Sequence, residues 1–239
     1  MNKKENSLRV GFHSIESILS NNPHKIKKVT LPANRNDQRI SSLILALEKN
    51  SIKYDLSSKL KQEPEAIIVN ENELNFKDLK NFLSLEVTKP LILILDNIID
   101  PRNLGACIRS AAVIGVDALI INKHHCAPIN AVAHKVSAGG VEVIKIFHVT
   151  NLVNCLKFLK ESNVNIYGLS EHAQESHLEC NFTSPSAIIM GAEESGIRKK
   201  TLESCDFKIN LSSNKLFKSF NVSVATGIIL AEAKRQREI

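Results

Sequence analysis

The 239-residue chain has no tryptophan, only two tyrosines and five cysteines, and each scarcity closes off a class of function. With no tryptophan and only two tyrosines, base stacking on aromatic platforms is not advertised. The cysteines (Cys107, Cys126, Cys155, Cys180, Cys205) are odd in number and scattered, never as Cys-x-x-Cys and never beside His at ligand spacing. That pattern argues against a zinc site and predicts buried free thiols and no bound metal. The longest clean apolar run, Leu91 to Leu95, is too short to cross a bilayer, and Met1-Asn2-Lys3-Lys4-Glu5 leads into no apolar leader-like stretch. A soluble cytoplasmic protein with no membrane partner is therefore expected. Neither Gly-x-Gly-x-x-Gly nor a phosphate-cradling P-loop occurs, which argues against a dinucleotide enzyme or an ATPase.

Against these absences stand a hydrophobic content of 43% and a formal charge of +6. The first supplies the core of one large or two modest domains. The second leans toward a polyanionic partner. Residues 1–90 hold 15 Lys/Arg against 11 Asp/Glu, and residues 91–239 hold 16 against 14, so the first part is the more basic. Its densest cluster, His24-Lys25-Ile26-Lys27-Lys28, suits either phosphate contacts or a solvated charge run.

Residues 8–69 alternate helical and extended patterns: a helix near His13 to Leu19, a strand at Lys27 to Leu31, a helix at Gln38 to Lys49 and a strand at Ala66 to Val69. Between Asn70 and Pro90 the chain is polar and charged, as an exposed connection would be. The expected division is a small α/β domain over 1–70, a linker over 71–90 and a second domain over 91–239. From Leu91 onward, short continuous apolar runs (Leu91 to Leu95, Ala118 to Ile121, Val143 to Phe147, Asn165 to Leu169, Ala187 to Met190) alternate with helical segments. Runs bare of polar alternation fit strands covered on both faces, so the second domain is expected to be α/β with a parallel sheet.

Chemistry can gather at three strand ends and turns. The first is Asp96-Asn97-Ile98-Ile99-Asp100-Pro101-Arg102-Asn103-Leu104-Gly105-Ala106-Cys107-Ile108-Arg109. Ligands of open α/β sheets collect where strands end, and Asn103 is a natural helix N-cap. Arg109 has small neighbours, Gly105 and Ala112, on its face of the helix, which leaves room for something bulky. A long cation on a helix packed against a sheet calls for an anionic ligand or a salt-bridge partner. The second turn, Gly191-Ala192-Glu193-Glu194-Ser195-Gly196, has glycines that allow close backbone approach or positive φ. In the third, Asn221 can cap a final helix ending in Lys234-Arg235-Gln236-Arg237. There Ser223, Gly227 and Ala231 form a small-residue stripe, suited to an oligomer interface or to packing within the chain.

In this order, Asn103-Leu-Gly-Ala-Cys-Ile-Arg109-Ser, Gly191-Ala-Glu-Glu-Ser-Gly196 and Ser219-Phe-Asn-Val-Ser-Val-Ala-Thr-Gly227 resemble the three signature motifs of the SpoU/TrmH family of the SPOUT superfamily, which are RNA 2′-O-ribose methyltransferases. The resemblance covers essentially all of residues 91–239, and the first domain looks like the L30e-like RNA substrate-binding domain of the branch that acts on a guanosine of 23S rRNA. It implies a trefoil knot in which residues 186–223 thread through a loop, a homodimer whose active sites are completed by the partner, and S-adenosyl-L-methionine as cofactor. Carried over residue by residue, Leu169, Gly191, Leu211 and Phe220 fall where the family holds that cofactor, and Asn103, Arg109, Glu193, Ser219 and Asn221 where it keeps its active-site polar groups. Relatives carry a turn shaped by proline and glycine where this chain has Leu211-Ser212-Ser213-Asn214-Lys215. Lys215 cannot take up positive φ cheaply.

The implied reaction needs a ribose hydroxyl held in line with an electrophilic methyl and relieved of one proton. An arginine is effectively always protonated, so the role expected for Arg109 is to bind the flanking phosphate and lower the proton affinity of the hydroxyl. Two competing functions are 2′-O-methylation of tRNA, by a relative without a separate first domain, and an RNA-binding or ribosome-assembly role with catalysis impaired.

Overall fold

The computed structural model describes residues 6–69, 73–85, 88–211 and 219–238. Its first domain contains β1 (Asn6–Val10), α1 (Phe12–Asn21), β2 (Ile26–Pro32), α2 (Gln38–Lys49), β3 (Tyr54–Ser57) and β4 (Glu65–Val69). The strands lie in the order β1-β4-β2-β3. Phe12, Ile15, Ile18 and Leu19 of α1 and Ile40, Leu43 and Leu47 of α2 recur at helical spacing, so each helix turns one apolar stripe onto the strands. Asp37 starts α2, its carboxylate accepting from the backbone N–H groups of Arg39 and Ile40. Lys27 and Lys28 of the basic cluster are exposed on β2, where Lys28 pairs with Asp55.

The second domain adds β5 (Leu74–Asn75), α3 (Phe76–Leu85), β6 (Leu91–Leu95), α4 (Pro101–Ile114), β7 (Ala118–Asn122), α5 (Ala131–Ser137) and α6 (Gly140–Val143). It continues through β8 (Lys145–Val149), α7 (Leu152–Glu161), β9 (Asn165–Leu169), β10 (Glu175–Ser176), β11 (Ser186–Met190), α8 (Lys199–Glu203), β12 (Phe207–Asn210) and α9 (Val222–Arg237). Its strands run parallel in the order β10-β12-β9-β11-β6-β7-β8-β5, the α/β parallel sheet expected from the apolar runs. In β6, Leu91, Leu93 and Leu95 enter one core with residues of α4 and α9, while Ile92 and Ile94 enter the other with residues of α3 and α7. Period-two alternation thus buries every side chain of the run, each contributing about 1.5–3 kcal/mol relative to exposure.

Two expectations fail here. The stretch 71–90 is not a bare exposed connection: β5 pairs with β8 and extends the sheet, and α3 buries Leu79 and Phe82 against it. The run Val143 to Phe147 is not one strand, because α6 ends at Val143, which is exposed, and β8 begins at Lys145.

The domains meet through α1 and α6. Arg9 of β1 donates to Glu142 of α6 at 2.9 Å with both side chains buried, and Gly139 permits the approach. At φ +92°, a side chain on residue 139 would lie 2.4 Å from Ser17 Oγ and 2.8 Å from the His13 carbonyl. His134 is buried in the same junction, 3.7 Å from Glu142, and burial together with the Arg9 charge pushes its imidazole down to about 3, which keeps it neutral.

All five cysteines are free thiols, Cys107, Cys155 and Cys180 buried and the other two half-buried. Burial pushes Cys107 and Cys180 up to about 11 and Cys155 and Cys205 up to about 12, so these thiols stay protonated and unreactive at neutral pH. Among the described residues no cluster of His, Cys, Asp or Glu could hold a metal ion, and no helix is long and apolar enough to cross a membrane.

Candidate active site

Parallel strands deliver their carboxyl ends to one edge of the sheet, and three of them, β9, β11 and β12, open there into a pocket of ≈ 270 Å³. Leu169 closes β9, Gly191 follows β11 and Leu211 follows β12; these three line it together with Glu193, Ser219 and Phe220. Gly191 is there for close approach. A side chain at that position would sit 2.1 Å from the backbone of Gly196 and Ile197. Gly196 instead supplies positive φ, +63°, and the turn closes on itself through Ala192 N–H to the Gly196 carbonyl (3.0 Å) and the reverse bond (2.9 Å).

The polar groups of the three motifs join at the rim. Glu193 accepts from Asn103 Nδ2 through Oε2 and from Asn221 Nδ2 through Oε1, both at 3.2 Å, and Asn221 Nδ2 also reaches Asn103 Oδ1 at 3.3 Å. The ring ties residues far apart in the chain. Asn221 can serve it because its other atom is committed elsewhere: Oδ1 caps α9, accepting from Ser223 N–H (3.0 Å) and Ser223 Oγ (2.6 Å). Glu193 therefore sits beside the amino-terminal ends of both α4 and α9, where the helix dipoles favour a carboxylate.

Asn103 reaches Glu193 because it is not the cap of α4. Asp100 holds that position, its carboxylate accepting from Arg102 N–H at 2.8 Å, with Pro101 at the first helical residue. Asn103 lies within the first turn and points sideways. Both the backbone and side-chain hydrogen bonds from Arg102 hold the Asp100 carboxyl below the ordinary range, the backbone bond foremost.

Arg109 stands apart from the other predicted site residues. It is exposed on α4, outside the pocket lining, and has no ion pair among the described residues. Among the described residues no anionic partner faces it, and the space beside Gly105 and Ala112 is filled by the chain itself. A side chain at Gly105 would lie 2.7 Å from the Ala133 carbonyl, and one at Gly140 would lie 3.3 Å from both Ala112 Cβ and Arg109 Cα. The guanidinium is left facing outward.

Sequence reasoning missed Ser170, Glu171, His172 and Asn210, which also line the pocket. Their signal was position: each lies at or just past the carboxyl end of β9 or β12. It also missed Asn97, which at φ +69° turns its amide to Ser195 Oγ at 3.1 Å. Of the altered turn Leu211 to Lys215, everything past Leu211 lies outside the described residues.

Residues 90–231 match the SpoU rRNA Methylase family, and residues 10–75 match the RNA 2′-O ribose methyltransferase substrate binding domain. The chain is similar to a 23S rRNA (guanosine-2′-O-)-methyltransferase RlmB of Photorhabdus laumondii subsp. laumondii, 36% identical over 95% of this chain and 97% of that one. Among solved structures, the SpoU methyltransferase AviRb from Streptomyces viridochromogenes, in complex with the cofactor AdoMet, superposes with a TM-score of 0.82 at 19% identity over 98% of this chain and 91% of that one. The TrmH/SpoU tRNA modifying enzyme of A. aeolicus is 31% identical, with a TM-score of 0.58, over 68% of this chain and 83% of that one.

Proposed function

The chain belongs to the SpoU rRNA methylase family, and from that premise we propose that it methylates the ribose 2′-hydroxyl of a guanosine in 23S rRNA, using S-adenosyl-L-methionine as donor. The observation that carries this is the closed Asn103–Glu193–Asn221 ring at the mouth of a strand-end pocket. The pocket suits that donor: Leu169, Ile209, Leu211 and Phe220 offer apolar contact to a flat heterocycle. The carboxylates of Glu171, Glu193 and Glu194 favour a cationic group. When bound, the cofactor supplies an electrophilic methyl on sulfonium.

The protein's own work is positioning. Gly191 brings its loop close enough for main-chain groups to wall the pocket, and Leu169, Leu211 and Phe220 hold the adenine side. Asn103, Glu193, Ser219 and Asn221 orient the ribose, because fixing two reacting groups in line removes most of the entropy of their encounter. Arg109 binds the phosphate flanking the target and lowers the proton affinity of the hydroxyl, from the second subunit of a homodimer. Support for the dimer is an uncovered face: a side chain at Gly227 would meet nothing within 4 Å, and Val224 on the same helix and Val113 on α4 are exposed. We also propose that residues 186–223, of which 212–218 lie outside the described residues, form the trefoil knot. Its support is family membership and the return of the chain, after β12 near one end of the sheet, to lay α9 against α4 beside the central β6. We assign RNA binding to residues 1–70, supported by the match of residues 10–75 to the substrate-binding model, and a 23S rRNA substrate implies work in the cytoplasm.

Mapping 2′-O-methylated riboses in 23S rRNA and tRNA after gene deletion tests the choice of RNA. One guanosine of 23S rRNA should lose its methyl while tRNA is unchanged. Loss confined to tRNA overturns the choice.

A further inference from the structure

Asp96, the residue after β6, is completely buried, and it grips both ends of the loop that carries Glu193. Its N–H donates to the carbonyl of Met190, where the loop begins, at 2.9 Å. Its carboxylate accepts from both the N–H of Arg198 (3.1 Å, Oδ2) and the Arg198 Nε (2.7 Å, Oδ1), where the loop ends. Between these clamps, Ile197 is buried in the core and the Ala192–Gly196 pair closes the turn. A carboxylate meets the main chain and the side chain of one residue with two separate charged oxygens, each making its own bond.

The pair is buried on the Asp96 side only, the Arg198 side chain being 32% exposed, and such an ion pair is weak support for stability, because well-packed apolar side chains of similar size serve as well. What apolar side chains cannot do is fix direction. We propose that Asp96 and Arg198 are positioning residues for methyl transfer, setting the 191–198 loop at the height where Glu193 meets Asn103 and Asn221 and where the loop backbone walls the pocket. This rests on the methyltransferase function proposed above. Neither residue lines the pocket, so each acts through the loop.

The test uses full-length wild type, Arg198→Lys, Arg198→Met and the apolar double variant Asp96→Leu/Arg198→Met, with S-adenosylmethionine titrated by calorimetry and turnover measured on unmodified 23S rRNA. Wild type must bind and methylate; if it does neither, the assigned function fails and not the pair. Given an active wild type, Arg198→Met and the double variant should melt cooperatively, bind the cofactor about tenfold more weakly and lose about 50-fold in kcat. KM for RNA should stay within about twofold, a split that general destabilisation would not produce, and Arg198→Lys should recover most of the lost turnover. The proposal is overturned if Arg198→Met or the double variant keeps kcat and cofactor affinity within about threefold of wild type. It is equally overturned if neither melts cooperatively, since the pair would then hold the fold rather than the loop.

Discussion

Arg109→Ala protein should lose methyl transfer by about 10²–10³-fold while binding S-adenosylmethionine normally, the scale seen when one preorganised electrostatic group is removed from a transition state. Arg109 is exposed and outside its own chain's pocket, whereas Glu193 is at the pocket rim. In the shared site proposed above, Arg109 reaches the pocket of a second copy. Mixing Arg109→Ala chains with Glu193→Ala chains, each inactive alone, should restore activity through dimers in which the first chain's pocket meets the second chain's arginine. Unrestored activity in a sample proven by mass to contain the mixed dimer would contradict the shared site. Arg109→Lys should restore little, because a lysine presents a point charge where a planar fork holds a phosphate in two bonds.

Glu193→Gln should be nearly as damaging as Glu193→Ala, with kcat down about 10²-fold, the loss expected when catalytic groups shift by about 1 Å. The two partners of the carboxylate are both amide donors, Asn103 Nδ2 and Asn221 Nδ2. A carboxylate accepts from both. A glutamine offers one oxygen and turns its own NH₂ against the remaining donor, so the ring opens on one side. Kinetics of the purified variant decide: turnover within threefold of wild type would mean that the ring does not organise the reacting groups.

Much of the architecture is legible in local pattern. The helix at Gln38 to Lys49 and the strand at Leu91 to Leu95 coincide with their predicted bounds, because a 3.6-residue stripe and an unbroken aliphatic run each permit one way of being buried. Other elements were hidden by flanking chemistry. The charges around Asn70 to Glu73 masked the i, i+3 pair Leu79 and Phe82, which is enough to dock α3. Asp100-Pro101 is a stronger helix start than Asn103, since proline at the first helical residue gives up an N–H that would be orphaned in any case.

At the site, residue types were readable but their partners were not. Glu193 and Asn103 are 90 residues apart in the chain and bond only because β6 and β11 are neighbours in the sheet. Arg109 shows the opposite limit. Its small neighbours suggested space for a ligand, yet the same smallness serves close packing by α5 and α6, and sequence spacing alone cannot tell the two uses apart.

Incubating the purified protein with methyl-labelled S-adenosylmethionine and total unmodified RNA, then locating the labelled nucleotide, tests the central claim most directly. The account predicts a single labelled guanosine in 23S rRNA, with the label on its 2′-oxygen and lost with Glu193→Ala. Label on a base, or transfer that survives Glu193→Ala undiminished, would contradict it.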